Sequence, residues 1–428
     1  MNYQKRYPQS YQIHKDASLV MPGGITRDVV HMTPFPLYME VGKGPNVWDV
    51  DGHKYVDLIM GNGSLILGHS PDMAMEIKKA AQYGTHLGSC SKSTVELSKL
   101  IIDMVPSAEL VRFTNSGSEA THLAIRLARA HTKRDKYIKF SGNYHGWYDG
   151  VAKGSNIGSK TSDSAGIPKR YSENVIVCNP NQIEEIENLD PNEIAAIILE
   201  PSGGKVGLTG FSFEFLKYLR NYSDKNECVL IFDEVVTGFR WSVGGAQQKL
   251  NIIPDLTVLG KIIGGGLTSG AVCGKEEIMK LLSITDTSIK SRVHHGGTFS
   301  GNPLTSLVGL KVIELLKDGE IISSVNSRTT TLRTRLNELW QEKGLPGGVY
   351  GEASVFHYVL EPYSELGITN KIKDISIYEG LQKRLIENGV AIRKLTGMLS
   401  LAHDEESIDK VVDAFRCSLN FLPDSQVL

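Results

Sequence analysis

Cysteine is scarce in this sequence: Cys90, Cys178, Cys228, Cys273 and Cys417 are the five among 428 residues, and no two form a CxxC pair. An odd, scattered set excludes a disulfide framework or a cysteine-based zinc site and suits a reducing cytoplasm. Surplus charge is also lacking. A formal net charge of -2 offers no field for nucleic acid or an anionic membrane surface. The opening stretch MNYQKRYPQSYQIHKDASLV carries no apolar signal-peptide core, and no run of roughly 18 apolar residues follows. These absences point to an untargeted, cytoplasmic protein whose partners are small molecules, with no metal site. What is present is ordinary globular material, 41% hydrophobic and 22% charged. The length exceeds one ordinary core, so a large domain with a smaller companion is expected.

Residues 1–70 are expected to form an amino-terminal segment contributing to the small domain and the active site. Pro34-Phe35-Pro36 excludes a long helix there, and Asp51-Gly52 within VWDVDGHKYVDL predicts a hairpin. Residues 71–315 alternate short apolar runs with helical patterns: LVRFTNSG, EATHLAIRLARAH, KYIKFSG, AAIILEP, FEFLKYLRNY, VLIFDEV, LTVLG. That rhythm predicts an α/β domain, a mostly parallel sheet flanked by helices. Ligands gather at the carboxyl ends of such strands, where Asn115-Ser116-Gly117, Tyr144-His145-Gly146, Glu200, Asp233 and Lys261 should converge. Residues 316–428 change to a long helix, strand-like ASVFHYVL, helical SIYEGLQKRLIENG and a final helix over IDKVVDAFRCSLNFL, a smaller α+β domain.

Four stretches carry chemistry. In TNSGSEATHLAIRLAR, Ser116, Gly117 and Ser118 stand at a strand-to-helix turn, where free N–H groups, hydroxyls and the helix dipole suit a phosphate; the plainer reading makes Ser118 only an N-cap. Asp233 ends an apolar strand, and a buried carboxylate needs a partner. A protonated ring nitrogen would serve, as would a role capping the next segment. Lys261 follows another apolar strand and precedes three glycines. A lysine desolvated there becomes an amine nucleophile, although most lysines are surface groups. Tyr144 suits stacking on a flat ring, while its neighbour His145 reads as structural. GSNIGSKT misses the P-loop spacing by one residue, and no GxGxxG follows a strand.

Taken together, TNSGSEATHLAIRLAR, YHG, FDEVVTGFR, PDLTVLGKIIGGG and GGTFSGNP resemble, in order and spacing, the class III pyridoxal-phosphate aminotransferases. The likeness runs over about residues 20–415 and is strongest to the branch holding glutamate-1-semialdehyde aminomutases and β-amino-acid aminotransferases. It implies fold type I, pyridoxal 5'-phosphate as cofactor, and Lys261 as its Schiff-base and proton-transfer residue. Asp233 should pair with the ring nitrogen, Tyr144 and Val235 should sandwich the ring, and Ser116, Gly117 and Ser118 should hold the phosphate. Thr298 matches a threonine that reaches the neighbouring subunit's cofactor phosphate, which implies a homodimer with shared active sites.

The same resemblance bears on the substrate. In PGGITRDV, Arg27 stands where an arginine grips the substrate carboxylate in β-amino-acid aminotransferases, and a guanidinium is well formed for that task. Solvation at the surface is the alternative role. Leu395 occupies the place of a glutamate carried by the aminomutases. The expected reaction is transfer of an amino group from a carboxylate-bearing amino acid, a β- or other non-α-amino acid, to a keto acid. The intramolecular aminomutase reaction giving 5-aminolevulinate is the second reading. A non-catalytic relative that kept the fold is the third, and retention of Lys261, Asp233, Tyr144 and the phosphate turn opposes it.

Overall fold

The computed structural model describes residues 3–161, 164–368, 372 and 374–420. Its first long helix, Pro8–Val20, was not anticipated from the polar opening stretch. Aromatic side chains hold that stretch down: Tyr3, Tyr7 and Phe35 pack with Val47 and Tyr55 in one buried cluster. Strands β1 (Met39–Lys43), β2 (Asn46–Asp49) and β3 (Lys54–Asp57) then form an antiparallel ladder. The turn between the last two is the expected Asp51-Gly52 hairpin. It is fixed by Asp49, which accepts from the His53 N–H at 2.8 Å and the Tyr55 hydroxyl at 2.6 Å.

The large sheet has seven strands: β4 (Leu110–Thr114), β5 (Lys136–Phe140), β6 (Val175–Cys178), β7 (Ile194–Leu199), β8 (Val229–Asp233), β9 (Leu256–Gly260) and β10 (Gly270–Gly274). Their order is β4-β10-β9-β8-β7-β5-β6, and only β10 runs against the rest. Every residue of β7, β8 and β9 is buried, as both faces of a parallel sheet are covered by helices. Alternation divides the two faces. Ala196, Ile198, Ile231 and Val258 meet the helix Gly117–Thr132 through Ala120, Leu123, Ala124 and Leu127. Ile197, Leu199, Leu230 and Phe232 meet the helix Phe213–Asn226 through Phe215, Leu216 and Leu219. Each buried Val, Ile, Leu or Phe side chain contributes about 1.5–3 kcal/mol by leaving water.

The carboxyl-terminal part adds β11 (Gly348–Tyr350), β12 (Val355–Val359), β13 (Val390–Ala391) and β14 (Thr396–Met398). β11, β12 and β14 form a three-stranded sheet, while β13 joins β3 in parallel. Helices Glu320–Glu342, Ile375–Glu387 and Glu405–Leu419 cover a core of Leu332, Leu336, Trp340, Phe356, Tyr358 and Phe415 that also takes in Val56 and Leu58. Residues 421 and 422 of the expected final helix lie outside the described residues. The five cysteines are free. Among the described residues no helix is long and apolar enough to cross a membrane.

Candidate active site

Six strands of the large sheet point their carboxyl ends the same way, so the loops after β4, β5, β7, β8 and β9 meet at one rim. They enclose a cavity of about 350 Å³ lined by Ser116, Gly117, Ser118, Tyr144, Asp233, Val235 and Lys261. Seven of the nine residues singled out in the sequence therefore share one wall. Thr298 and Arg27 do not line it. Thr298 is exposed, and its carbonyl accepts from His86 Nε2 at 2.6 Å. Arg27 is exposed as well, and its charge is felt by Arg393.

The turn after β4 shows why its residues are small. Ser116 is the N-cap of the helix Gly117–Thr132, its hydroxyl accepting from the Glu119 N–H at 3.2 Å. The capping residue is thus Ser116 and not Ser118, whose hydroxyl lies beside the Tyr144 phenol instead. A side chain at Gly117 would start 2.7 Å from a methyl of Val235, so only glycine lets the turn approach the loop after β8.

Asp233 and Glu234 are adjacent carboxylates with different fates. Asp233 faces the cavity: one oxygen accepts from the Val235 N–H at 3.1 Å and the other from His145 Nδ1 at 2.8 Å. Glu234 points away from it and accepts from the Thr237 hydroxyl at 2.7 Å, the Ala246 N–H at 2.6 Å and both Gln247 donors. It closes the loop that follows. His145 is buried, which lowers its pKa despite Asp233, and its Nε2 has no partner among the described residues.

Lys261 directly follows β9 in left-handed backbone, φ 51°. Among the described residues its amine makes no hydrogen bond or ion pair. Burial lowers its pKa, and the charges of Asp233 and Glu200 oppose that shift. Glu200, which directly follows β7, accepts from the Tyr144 N–H at 2.7 Å and the Val206 N–H at 3.3 Å. Burial and the charge of Asp233 push its carboxyl up to about 8. Sequence reasoning placed Glu200 at the rim without giving it a role, and it did not single out Lys205, which also lines the cavity. The signal for Glu200 was the same as for Asp233, an acidic residue ending a wholly apolar run.

A family model described as "Aminotransferase class-III" matches residues 28–415. The chain belongs to the class III aminotransferases. It is 37% identical to a glutamate-1-semialdehyde 2,1-aminomutase of Methanopyrus kandleri, over 99% of this chain and all of that protein. Among solved structures, an omega-transaminase from Sphaerobacter thermophilus superimposes with a TM-score of 0.92 at 32% identity, over 98% of this chain and 99% of that one. A β-phenylalanine aminotransferase from Variovorax paradoxus gives 0.88 at 29% identity, over 98% and 95%. The fold is that of fold type I enzymes, and the cofactor of this class III enzyme is pyridoxal 5'-phosphate. The residues present fit it: an unpartnered amine on Lys261, a cavity-facing carboxylate on Asp233, and a helix-capping turn that tolerates nothing larger than glycine at 117.

Proposed function

We propose that this enzyme transfers an amino group from a carboxylate-bearing amino acid, a β- or other non-α-amino acid, to a keto acid. The observation that carries the reading is Lys261, a desolvated amine free of partners on the same cavity wall as Asp233. Lys261 would hold the cofactor covalently and Asp233 would face its ring nitrogen. Tyr144 and Val235 would flank the ring, and Ser116, Gly117 and Ser118 would receive the phosphate at the positive end of the helix Gly117–Thr132. When bound, pyridoxal phosphate supplies an electron sink for the bond to the substrate's amine-bearing carbon. Lys261 would take the proton from that carbon and return it, and burial lowers its pKa in the direction that task needs. His145 positions Asp233 through the 2.8 Å contact. Arg27 would grip the substrate carboxylate, and Thr298, exposed and outside its own cavity, would reach the neighbouring site of a homodimer in the cytoplasm.

The aminomutase reaction is a second reading, favoured by the 37% identity to a glutamate-1-semialdehyde 2,1-aminomutase along the full length. Against it stands Leu395, buried in the apolar core of the carboxyl-terminal part with its carbonyl accepting from the Tyr358 N–H at 3.0 Å. No carboxylate occupies that place.

The test is the absorbance of the cofactor-loaded protein while donors are added singly without an acceptor: α-amino acids, β-amino acids, plain amines and glutamate 1-semialdehyde. Bleaching of the yellow band with one equivalent of keto product from an amino acid, and none from the matching plain amine, is the expected result. If only the semialdehyde reacts and 5-aminolevulinate forms with no acceptor, the aminomutase reading replaces it.

A further inference from the structure

Arg240 is buried to 1% exposure, and among the described residues no carboxylate pairs with it. A buried cation is costly unless something answers it. Here the answer comes from oxygen atoms in three separate segments. Arg240 Nε donates to the Val236 carbonyl at 3.0 Å, in the loop after β8. A second guanidinium nitrogen donates to the Ser354 hydroxyl at 2.7 Å, directly before β12 in the carboxyl-terminal part. The third donates to the Gly63 carbonyl in the amino-terminal segment. The Arg240 carbonyl in turn accepts from Asn326 Nδ2, in the helix Glu320–Glu342, at 3.2 Å. A planar fork of fixed donors suits such a junction better than an ammonium on a flexible stem. Carbonyl and hydroxyl oxygens satisfy the donors but leave the charge uncancelled, and burial lowers the Arg240 pKa to about 10.

The segments tied at Gly63 and Val236 both press on the chain around Lys261. The first is the turn Met60–Gly63, four consecutive residues in left-handed backbone, φ 45°, 59°, 59° and 85°. Met60 and Asn62 adopt that conformation at a cost. Asp57 accepts from the Ile59 N–H at 2.8 Å and the Met60 N–H at 3.2 Å, Arg393 Nε donates to Asn62 Oδ1 at 2.8 Å, and Arg240 takes Gly63. Strain held down from several sides collects at functional sites. Leu65, just past the turn, sets a methyl 2.9 Å from where a side chain at Gly266 would start. In the second segment a Val235 methyl lies 3.2 Å from where a side chain at Gly260 would start. Gly260 directly precedes Lys261, and Gly266 closes the glycine run after it. Arg240 thus joins the two segments that bracket Lys261. Its charge works with burial on the Lys261 amine, against Asp233 and Glu200. Tyr144, His145 and Lys205 line the same cavity.

We propose that Arg240 is a positioning residue for Lys261: it fastens the turn Met60–Gly63 to the loop after β8 and holds an unpaired positive charge that acts on the amine. The inference rests on Lys261 as the cofactor-bearing lysine and is independent of the amino donor. The test strips the full-length protein of cofactor and returns pyridoxal 5'-phosphate to it, in the wild type and in Arg240→Met, Arg240→Lys and Ser354→Ala variants. Leu336→Ala, in the carboxyl-terminal core, is the control for lost stability alone. Two quantities are read: the Kd of pyridoxal phosphate, and the pH at which the yellow band appears at half its maximal rate. In Arg240→Met the Kd should weaken by about 10- to 100-fold, and that pH should rise by about one unit, a tenfold change in proton affinity. Arg240→Lys keeps the charge and loses the fork, so it should weaken the Kd and leave the pH in place. Ser354→Ala removes one acceptor and should weaken the Kd by a few-fold, again with the pH unmoved. Leu336→Ala should change neither. If a folded Arg240→Met matches the wild type in Kd, or Leu336→Ala weakens the Kd as much, Arg240 belongs to the scaffold and the assignment is overturned. An unmoved pH in folded Arg240→Met overturns the part given to its charge. Should Arg240→Met fail to fold, unchanged Kd values in Arg240→Lys and Ser354→Ala overturn the assignment, and weakened ones uphold it. A wild type that forms no yellow band would instead remove Lys261 from the cofactor, and so sink the reading beneath the inference.

Discussion

His145 at the strand-end rim and His357 in the carboxyl-terminal core are both buried imidazoles, yet they are treated differently. His357 has both nitrogens engaged, Nδ1 with the Thr396 hydroxyl at 2.9 Å and Nε2 with the Val206 carbonyl at 3.2 Å. His145 reaches Asp233 through Nδ1 and leaves Nε2 unpaired. The contrast extends to their surroundings. Around His357, Trp340 Nε1 donates to the Val359 carbonyl at 3.2 Å and the Tyr358 hydroxyl to the Arg393 carbonyl at 3.0 Å. At the rim, Lys261 and Lys205 carry amines with no partner, and Glu200 is an acid held partly protonated. A buried polar group without a partner costs stability. At the rim such groups line a cavity that a ligand can enter.

The comparison is open to attack from both sides. Lys261→Ala should lower turnover by about 10²- to 10⁴-fold. With cofactor removed from both proteins, its urea midpoint should equal or exceed that of the wild type, because a desolvated ammonium is deleted; retained turnover would reject the role of Lys261. Leu336→Ala should do the reverse. Leu336 is wholly buried, so its loss should cost about 2–5 kcal/mol in urea unfolding. Turnover per folded, loaded molecule should stay near that of the wild type, and a collapse of kcat in fully folded protein would mean that the core is not a passive scaffold.

The smallest effect concerns pH. Burial depresses His357 and His403 to about 4. The unfolded chain binds these protons near pH 6.5 and the native protein only near 4, so the stabilisation is complete above about 6.5 and lost as pH falls toward 4. Unfolding free energy should drop by roughly 2 kcal/mol per imidazole between about pH 7 and about pH 5, and His357→Gln should flatten that slope. Equal stability at both pH values would show that the two imidazoles take up protons in the native state.

Much of the frame was legible because parallel strands covered on both faces must be apolar throughout. AAIILE, VLIFD and LTVLG could be read directly, together with the residues that end them. β10 was missed because its five residues, GAVCG, begin and end in glycine and carry too short an apolar run to stand out. The helix Pro8–Val20 was missed because Tyr3, Tyr7 and Phe35 anchor the amino-terminal stretch by contacts with Val47 and Tyr55, distant in sequence. The cap at Ser116 and the division of labour between Asp233 and Glu234 depend on which way a side chain turns at a strand end. Lys205, in SGGKVG, has no periodicity around it to announce its place at the rim.

The sequence by itself determined the buried central strands, the residues at their ends and the class III family. Alternation and continuous burial are local properties written in residue order. Only the tertiary structure decided which charges remain unpaired. Pairing is a matter of distance between segments that meet at the rim: Glu234 is satisfied from the loop that follows it, Asp233 from the loop after β5, and Lys205 and Lys261 by nothing in the described chain.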